Sequence, residues 1–463
     1  MNAEPQQVIE ADLAVIGFGK GGKTLAGTLG RQGWRVVMIE QSPLMYGGTC
    51  INIGCVPTKS MVFRAERLAP KGWHADRYQS AVDTTQQLTA DLRAVNLASL
   101  ENVDTVQVLT GHARFVDPHT LHVNTVDGST VLVQARFVVI GTGSRPVIPD
   151  LPGFAGAPQV YTSTDLLTRR ELPDRLAVLG GGYVGLEFAA MYAAYGSRVT
   201  IVERGSRTLG REDTDVAECA QDILRKVGIE IVTSAQVTGL TGTADGPATL
   251  SYRVGEDTAV LDADVVLVAL GRQPVTDGLG LAEAGVRTSG SGAVVVDEHL
   301  RSSQPHIFAV GDVNGGPQFT YISLDDYRVV LSALAGDQSR SIATRKAVPY
   351  TLFMTPPLAR VGSTEREAEA AGIDFKVAAM QVADMATVAR ARIVDESAGM
   401  MKVVVDANTD LILGASLLSY DSHEVINTVA LAMRHNITAS ELRDSIYTHP
   451  SMTEAFNQLL GAL

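Results

Sequence analysis

Two glycine loops of one design, some 163 residues apart, restrict this 463-residue chain more than anything else in it. The first, Gly17-Phe18-Gly19-Lys20-Gly21-Gly22, follows an apolar run from Val8 to Ile16 and opens a helical stretch that ends near Gly33. The second, Gly180-Gly181-Gly182-Tyr183-Val184-Gly185, follows Arg175 to Leu179 and opens a helix carrying Glu187, Phe188 and Met191. In such a loop the first glycine makes a tight turn, the second admits a pyrophosphate to the backbone, and the third lets helix pack on strand. Each unit closes on a second strand, Trp34 to Glu40 and Arg198 to Val202, that ends at or next to a carboxylate (Glu40, Glu203) placed to accept from ribose hydroxyls. One such loop is weak evidence, but two complete βαβ units predict two dinucleotides.

The second feature lies seven residues past Glu40: Gly47-Gly48-Thr49-Cys50-Ile51-Asn52-Ile53-Gly54-Cys55-Val56-Pro57-Thr58-Lys59. The spacing of the cysteines is about one helical turn, so both sulfurs are expected on one helix face, where they can close a small disulfide ring. At the opening turn of a helix, unpaired N–H groups favour the thiolate. With glycines before it and Pro57 after it, the pair reads as redox-active. A dithiol cannot take hydride from a nicotinamide directly, so one dinucleotide should be a flavin and the other NAD(P)H.

The remaining sequence sets limits. A chain of this length exceeds one core and should hold about three domains. The net charge of −13 argues against a nucleic-acid partner. Three cysteines are too few for a secreted disulfide framework. Met1 to Glu10 lacks a basic patch before an apolar stretch, and no run reaches the roughly 18 apolar residues of a membrane span, so a cytoplasmic protein with no membrane partner is expected. Phe137 to Ile140 before Gly141-Thr142-Gly143-Ser144-Arg145-Pro146, and Val265 to Leu270 before Gly271-Arg272-Gln273-Pro274, look like crossings out of the first domain and back. Ile307 to Val310 leads into Gly311-Asp312. Strands at Lys402 to Val405 and Ile412 to Leu417, with helices at His423 to His435 and Ala439 to Ile446, mark a third domain. The boundaries expected are 1–150 and 271–343 for the first nucleotide domain, 151–270 for the second, and 344–463 for the last. Asp76 to Gln87 reads as the start of an exposed helix, and Gly242 to Gly246 as a surface turn.

With these pieces assembled, the chain resembles the pyridine nucleotide-disulfide oxidoreductases, the family of lipoamide dehydrogenase, glutathione reductase and mercuric reductase. The resemblance rests on both glycine loops, Gly47 to Lys59, Gly141 to Pro146, Gly271 to Pro274, Gly311-Asp312, and His449-Pro450 with Glu454. It implies an α/β fold of two Rossmann-like domains, for FAD and NAD(P), and a C-terminal α+β dimerisation domain. It assigns FAD to Gly17, Gly19, Gly22, Glu40 and Asp312, the nicotinamide coenzyme to Gly180, Gly182, Gly185 and Glu203, and a cofactor-binding role to Gly48, Thr49, Thr142, Gly143 and Gly271. Tyr183 matches the family position whose ring covers the flavin until nicotinamide displaces it, although its bland reading is core packing. Lys59 and Glu187 match an ion pair beside the flavin. Cys55 would face the flavin while Cys50 exchanges with the substrate. His449, steadied by Glu454, would serve as base to the dithiol of the other subunit, which requires a homodimer with shared active sites.

Met45-Tyr46, the run from Gln318 to Arg328, and Asp421-Ser422-His423-Glu424 resemble the reactive-chlorine-resistance branch, NAD(P)H-dependent copper(II) reductases. Lipoamide dehydrogenase, which uses the same catalytic residues, is the alternative, and a non-catalytic redox-sensing flavoprotein is a second. Gly27 stands where glutathione reductases carry an arginine, and no cysteine follows Cys219 to supply the C-terminal thiols of mercuric reductases. Glu203 favours NADH, whereas Arg204, Arg207 and Arg211 leave NADPH possible. The metal-ion or small-molecule oxidant has no legible site. His423 reads as an interface or cap residue and Cys219 as an ordinary helix cysteine. Met45, Met354, Met385, Met400, Met401 and Met452 read as core fillers, with a soft-metal path the sharper alternative.

Overall fold

The computed structural model describes residues 7–68, 75–243 and 246–463. Met1 to Gln6, and Ala244 and Asp245 of the expected surface turn, lie outside them. The chain divides into two compact units.

The first unit comprises residues 7–60, 81–147 and 271–345. Its sheet is centred on Gln7–Ile16, which runs parallel to Val36–Glu40 on one side and Thr130–Ile140 on the other. Ile307–Ala309 adds to Thr130–Ile140 in parallel, and Val106–Asp117 adds to Val36–Glu40. Thr120–Thr125 pairs antiparallel with both Val106–Asp117 and Thr130–Ile140. Val36–Glu40 is buried along its whole length, as a parallel strand covered on both faces must be. Helix Lys20–Arg31 packs on this sheet and against helix Thr320–Ala335, where a Cβ at Gly21 would meet the Ser323 carbonyl at 2.5 Å.

The second unit comprises residues 61–80, 148–270 and 346–463. A parallel sheet places Arg175–Leu179 between Arg198–Val202 and Val265–Val268, and an antiparallel three-stranded sheet runs from Ala235 to Ala263. The last part folds as a five-stranded antiparallel sheet, Tyr350–Leu352 to Ile412–Leu418, covered by helix Ser422–Arg434 and by Ala455–Leu459. Its core contains Val361, Val403, Leu417, Val429 and Phe456, with Met385, Met401 and Met452 among them. Met354 and Met400 are also buried, and Met45 is half-buried. No helix among the described residues is long and apolar enough to cross a membrane.

Three local expectations need correction. The cysteines do not share one helix: Gly48–Asn52 ends, Ile53 breaks the path with φ −142°, and Cys55–Leu68 begins anew. Pro57 has no N–H to offer the Ile53 carbonyl one turn back, so a continuous helix is excluded while a first-turn proline is tolerated. Helix Ala439–Arg443 stops three residues short of Ile446, and the amide of Asn457 bonds the carbonyls of Arg443 and Ser445. The helix from Ala75 to Glu101 is not merely solvated, because Tyr78 is buried and its hydroxyl bonds Tyr192 Oη and the Arg169 carbonyl, both at 2.8 Å.

Gly48 joins the two motifs of the first unit. Its φ is +73°, and a Cβ there would stand 2.7 Å from Gly19 Cα. Gly48→Ala adds backbone strain to a backbone clash and should cost about 2 kcal/mol or more. Thermal unfolding checks this; an unchanged midpoint contradicts the packing.

Candidate active site

The dithiol sits on two short supports. Cys50 lies mid-way along Gly48–Asn52 and Cys55 is the first residue of the next helix. Cys50 is half-buried and Cys55 exposed. Donating its S–H to Cys55 pushes the Cys50 thiol far above its ordinary value, helped by burial and the charge on Cys55. Such a pair titrates as one system. Thr320 and the charge of Lys59 pull Cys50 the other way. Thr320 Oγ1 lies 3.8 Å from Cys55 Sγ, so one hydroxyl serves both sulfurs from the first turn of helix Thr320–Ala335.

The loop is braced from below. Asn52 Nδ2 donates to the carbonyls of Gly48 (2.9 Å) and Tyr46 (3.0 Å), and its oxygen accepts from Arg93 Nε at 2.8 Å. Tyr46 is buried edge-on against Phe18, with its hydroxyl on Thr110. The Thr49 carbonyl accepts from the Ile53 N–H at 3.0 Å.

The first glycine loop stands beside this dithiol. A Cβ at Gly17 would come within 2.3 Å of the Gly141 carbonyl, and one at Gly22 within 2.7 Å of Val15. Glu40 is buried, which raises its carboxyl, and its oxygens accept from Phe18 N (2.9 Å) and Ser42 N (3.2 Å). Burial lowers Lys23 to about 8. Thr142 Oγ1 donates to the Val275 carbonyl at 2.6 Å, and the Gly143 carbonyl accepts from Val275 N. Strand Arg272–Pro274, entered from Gly271, pairs with Ser144–Pro146. Across that pair Arg272 donates to Ser144 Oγ at 2.8 Å, and Ser144 donates to Asp312 Oδ2 at 2.6 Å. Asp326, 0% exposed, accepts from the Gly311 N–H at 2.6 Å and from Asn314, and is paired with Arg345. Sequence reasoning assigned no role to Thr320, Lys23, Asn52, Asp326 or Arg345. Thr320 and Asp326 lay inside the branch-specific run, the one signal available for them.

In the second unit, Glu203 accepts from Gly181 N at 2.6 Å and from Gly205 N at 2.5 Å. Arg207 is committed to Thr214 and to the Glu212 carbonyl at 3.1 Å, while Arg204 and Arg211 are exposed. Tyr183 opens helix Tyr183–Tyr195 and donates to Glu212. Glu187, 6% exposed, accepts from Phe353 N at 3.4 Å; it is no surface carboxylate. His449 Nδ1 lies 2.8 Å from Glu454 Oε2, with the imidazole side chain 67% exposed and the carboxylate 12%. The second oxygen of Glu454 accepts from Ser451 N at 3.2 Å. Asp421, not His423, occupies the N-cap of helix Ser422–Arg434; His423 packs on Phe353 with ring centroids 5.5 Å apart. Cys219 lies on helix Thr214–Lys226 with its sulfur 3.9 Å from Gln381. Among the described residues no group of three or more His, Cys, Asp or Glu forms a metal-binding cluster.

Family comparison matches residues 11–326 to the pyridine nucleotide-disulphide oxidoreductase model and 348–460 to that family's dimerisation domain. The chain belongs to the pyridine nucleotide-disulphide oxidoreductases. As a member it is an oxidoreductase that uses FAD and NAD(P)H. It is 45% identical over 447 residues, 96% of this chain and 98% of the relative, to the Escherichia coli K12 probable pyridine nucleotide-disulfide oxidoreductase RclA. It is 32% identical to dihydrolipoyl dehydrogenase of Geobacillus stearothermophilus, across 96% of this chain and 94% of that one. A solved structure, the Cu(II) complex of HOCl-induced flavoprotein disulfide reductase RclA from Escherichia coli, superposes with TM-score 0.92 at 43% identity, covering 98% of this chain and 99% of that one.

The residues fit both cofactors of this family. Neither Gly19 nor Gly182 puts a side-chain cap on the helix it precedes, and a Cβ at Gly182 would meet nothing within 4 Å. First-turn N–H groups with open space before them suit a pyrophosphate.

Removing the hydroxyl that serves both sulfurs gives a signed prediction. Thr320 lowers the Cys50 pKa, so Thr320→Val should move alkylation of the reduced protein to higher pH, by roughly half a unit to one unit. The pH profile of iodoacetamide labelling measures this, and a shift to lower pH contradicts it.

Proposed function

We propose that the chain is an NAD(P)H-dependent flavoprotein reductase working through the Cys50–Cys55 disulfide on an oxidant, copper(II), in cytoplasmic defence against reactive chlorine. The observation that carries this reading is the hydrogen-bonded Cys50–Cys55 pair packed against the first glycine loop. The E. coli relative, an HOCl-induced flavoprotein disulfide reductase solved as a Cu(II) complex, supports the choice of oxidant.

FAD, when bound, supplies the carrier that turns hydride from the nicotinamide into a reduction of the disulfide. The chain's residues position and protonate. Gly17, Gly19, Gly22, Gly48, Thr49, Thr142, Gly143 and Gly271 line the FAD site, with Glu40 and Asp312 as its carboxylates. Gly180, Gly182, Gly185 and Glu203 take the nicotinamide coenzyme, and Tyr183 covers the flavin face until that coenzyme arrives. Lys59 places a cation where negative charge develops. Cys55 faces the flavin and Cys50 meets the oxidant. Each dithiol gives up two electrons as its S–S bond forms, reducing two copper(II) to copper(I). The protons leave by way of His449: its Nδ1–H donates to Glu454, leaving Nε2 to accept from Cys50. In this reading His449 and Glu454 serve the dithiol of a second copy, so the working form is a homodimer. Residues 1–150 and 271–343 form the FAD domain, 151–270 the NAD(P) domain and 344–463 the dimerisation domain.

Anaerobic NADH oxidation by the purified protein with copper(II) or lipoamide as acceptor tests the function. Copper-dependent turnover should be rapid, should fall at least about a hundredfold in Cys50→Ser, and should be absent with lipoamide. Rapid turnover with lipoamide and little with copper identifies a lipoamide dehydrogenase instead. Because Glu203 repels a 2′-phosphate and Arg207 is already engaged, kcat/KM should favour NADH over NADPH by about tenfold or more. A strong preference for NADPH contradicts this.

A further inference from the structure

Glu212 is 0% exposed, and one of its oxygens carries three partners. Oε1 accepts from the Tyr183 hydroxyl and from the Tyr350 hydroxyl at 3.2 Å, and Arg360 Nη1 stands 3.6 Å away. Oε2 is buried with no hydrogen-bond partner among the described residues. Arg360 is itself nearly buried, pairing with Glu367 at 2.5 Å and donating to the Arg211 carbonyl at 3.0 Å. The rings of Tyr183 and Tyr350 lie with centroids 5.5 Å apart. Burial, then the charge of Glu212, raises the Tyr183 phenol, so it stays a proton donor. The backbone ties this cluster to the second glycine loop: Glu212 N donates to the Leu209 carbonyl, and Leu209 N donates to the Gly181 carbonyl.

We propose that Glu212 is a positioning residue that latches Tyr183 in its closed position and so sets how readily the nicotinamide coenzyme enters. The proposal rests on the reading of Tyr183 as the cover of the flavin face. The physics lies in what remains when Tyr183 swings away. A buried carboxylate stripped of its only partner is costly, but Glu212 keeps Tyr350 and Arg360. Tyr183 therefore leaves without stranding a charge, and its hydrogen bond is a bias on the closed state. Tyr350 and Arg360 belong to the segment matched by the dimerisation model, so that segment is wired to the coenzyme entrance. A closed state that excludes coenzyme weakens its apparent affinity by the fraction of molecules that are open.

The test is the dissociation constant of NAD+ for the oxidised, FAD-loaded protein, by calorimetry, in four forms. Tyr183→Phe keeps the ring and removes only the latched hydroxyl; it should bind about tenfold more tightly than the parent protein. Glu212→Gln keeps an acceptor but removes its charge, so it should tighten binding by less, and adding it to Tyr183→Phe should change nothing further. Tyr183→Ala removes the cover itself and should also tighten binding. Tightening in Tyr183→Ala with none in Tyr183→Phe overturns the latch and leaves the cover standing. No tightening in Tyr183→Ala overturns the reading of Tyr183, and the latch with it. If Glu212→Gln does not fold with FAD, Tyr183→Phe decides the matter alone.

Discussion

Everything proposed for this protein depends on one contact between backbones, Gly48 against Gly19. At that point the dithiol segment and the first glycine loop approach too closely for any side chain, a Cβ on Gly48 reaching 2.7 Å from Gly19 Cα. The first glycine loop thereby has a pair of sulfurs as its neighbour. Helix Thr320–Ala335 completes the corner, offering the Thr320 hydroxyl to the sulfurs and the Ser323 hydroxyl to Gly21 N at 3.0 Å. Elements some 300 residues apart in the chain thus converge on one small volume.

Buried charge fixes the loops that surround it. Asp326 holds the Gly311 N–H and is held by Arg345, which also reaches Asp325 at 2.7 Å. Lys402, 4% exposed at its side chain, lies among Asp213, Asp215 and Glu365. Glu212 and Arg360 form a third such group. Each joins a loop to a strand or helix far away in sequence. Breaking one partner leaves an uncompensated charge, so these groups specify geometry even where their net contribution to stability is small. The dithiol follows a related rule: two sulfurs in hydrogen-bond contact cannot both ionise without an external base, the role proposed for His449.

The elements themselves were largely legible. Both βαβ units and the strands after Gly399 are local patterns, and local patterns survive without knowledge of the tertiary contacts. The His449–Glu454 bond was legible for the same reason, its partners being five residues apart. The missed features all depend on distant partners. Thr320 bonds sulfurs more than 260 residues away, and Tyr78 meets Tyr192 across 114. The break between Cys50 and Cys55 was available in principle, since a proline one turn past Ile53 cannot receive its carbonyl; the spacing of the cysteines alone concealed it. Helix Ala439–Arg443 ends where Asn457, on a later helix, takes its carbonyls.

The central claim is that the dithiol and the flavin form one electron store filled from the nicotinamide. Anaerobic reductive titration of the FAD-loaded protein measures it directly, as reducing equivalents accepted per FAD. The account predicts that the parent protein accepts about twice as many equivalents as Cys55→Ser, because the disulfide is a two-electron couple in addition to the flavin. Equal uptake by the two proteins would show that the sulfurs stand outside the electron path and would contradict the account.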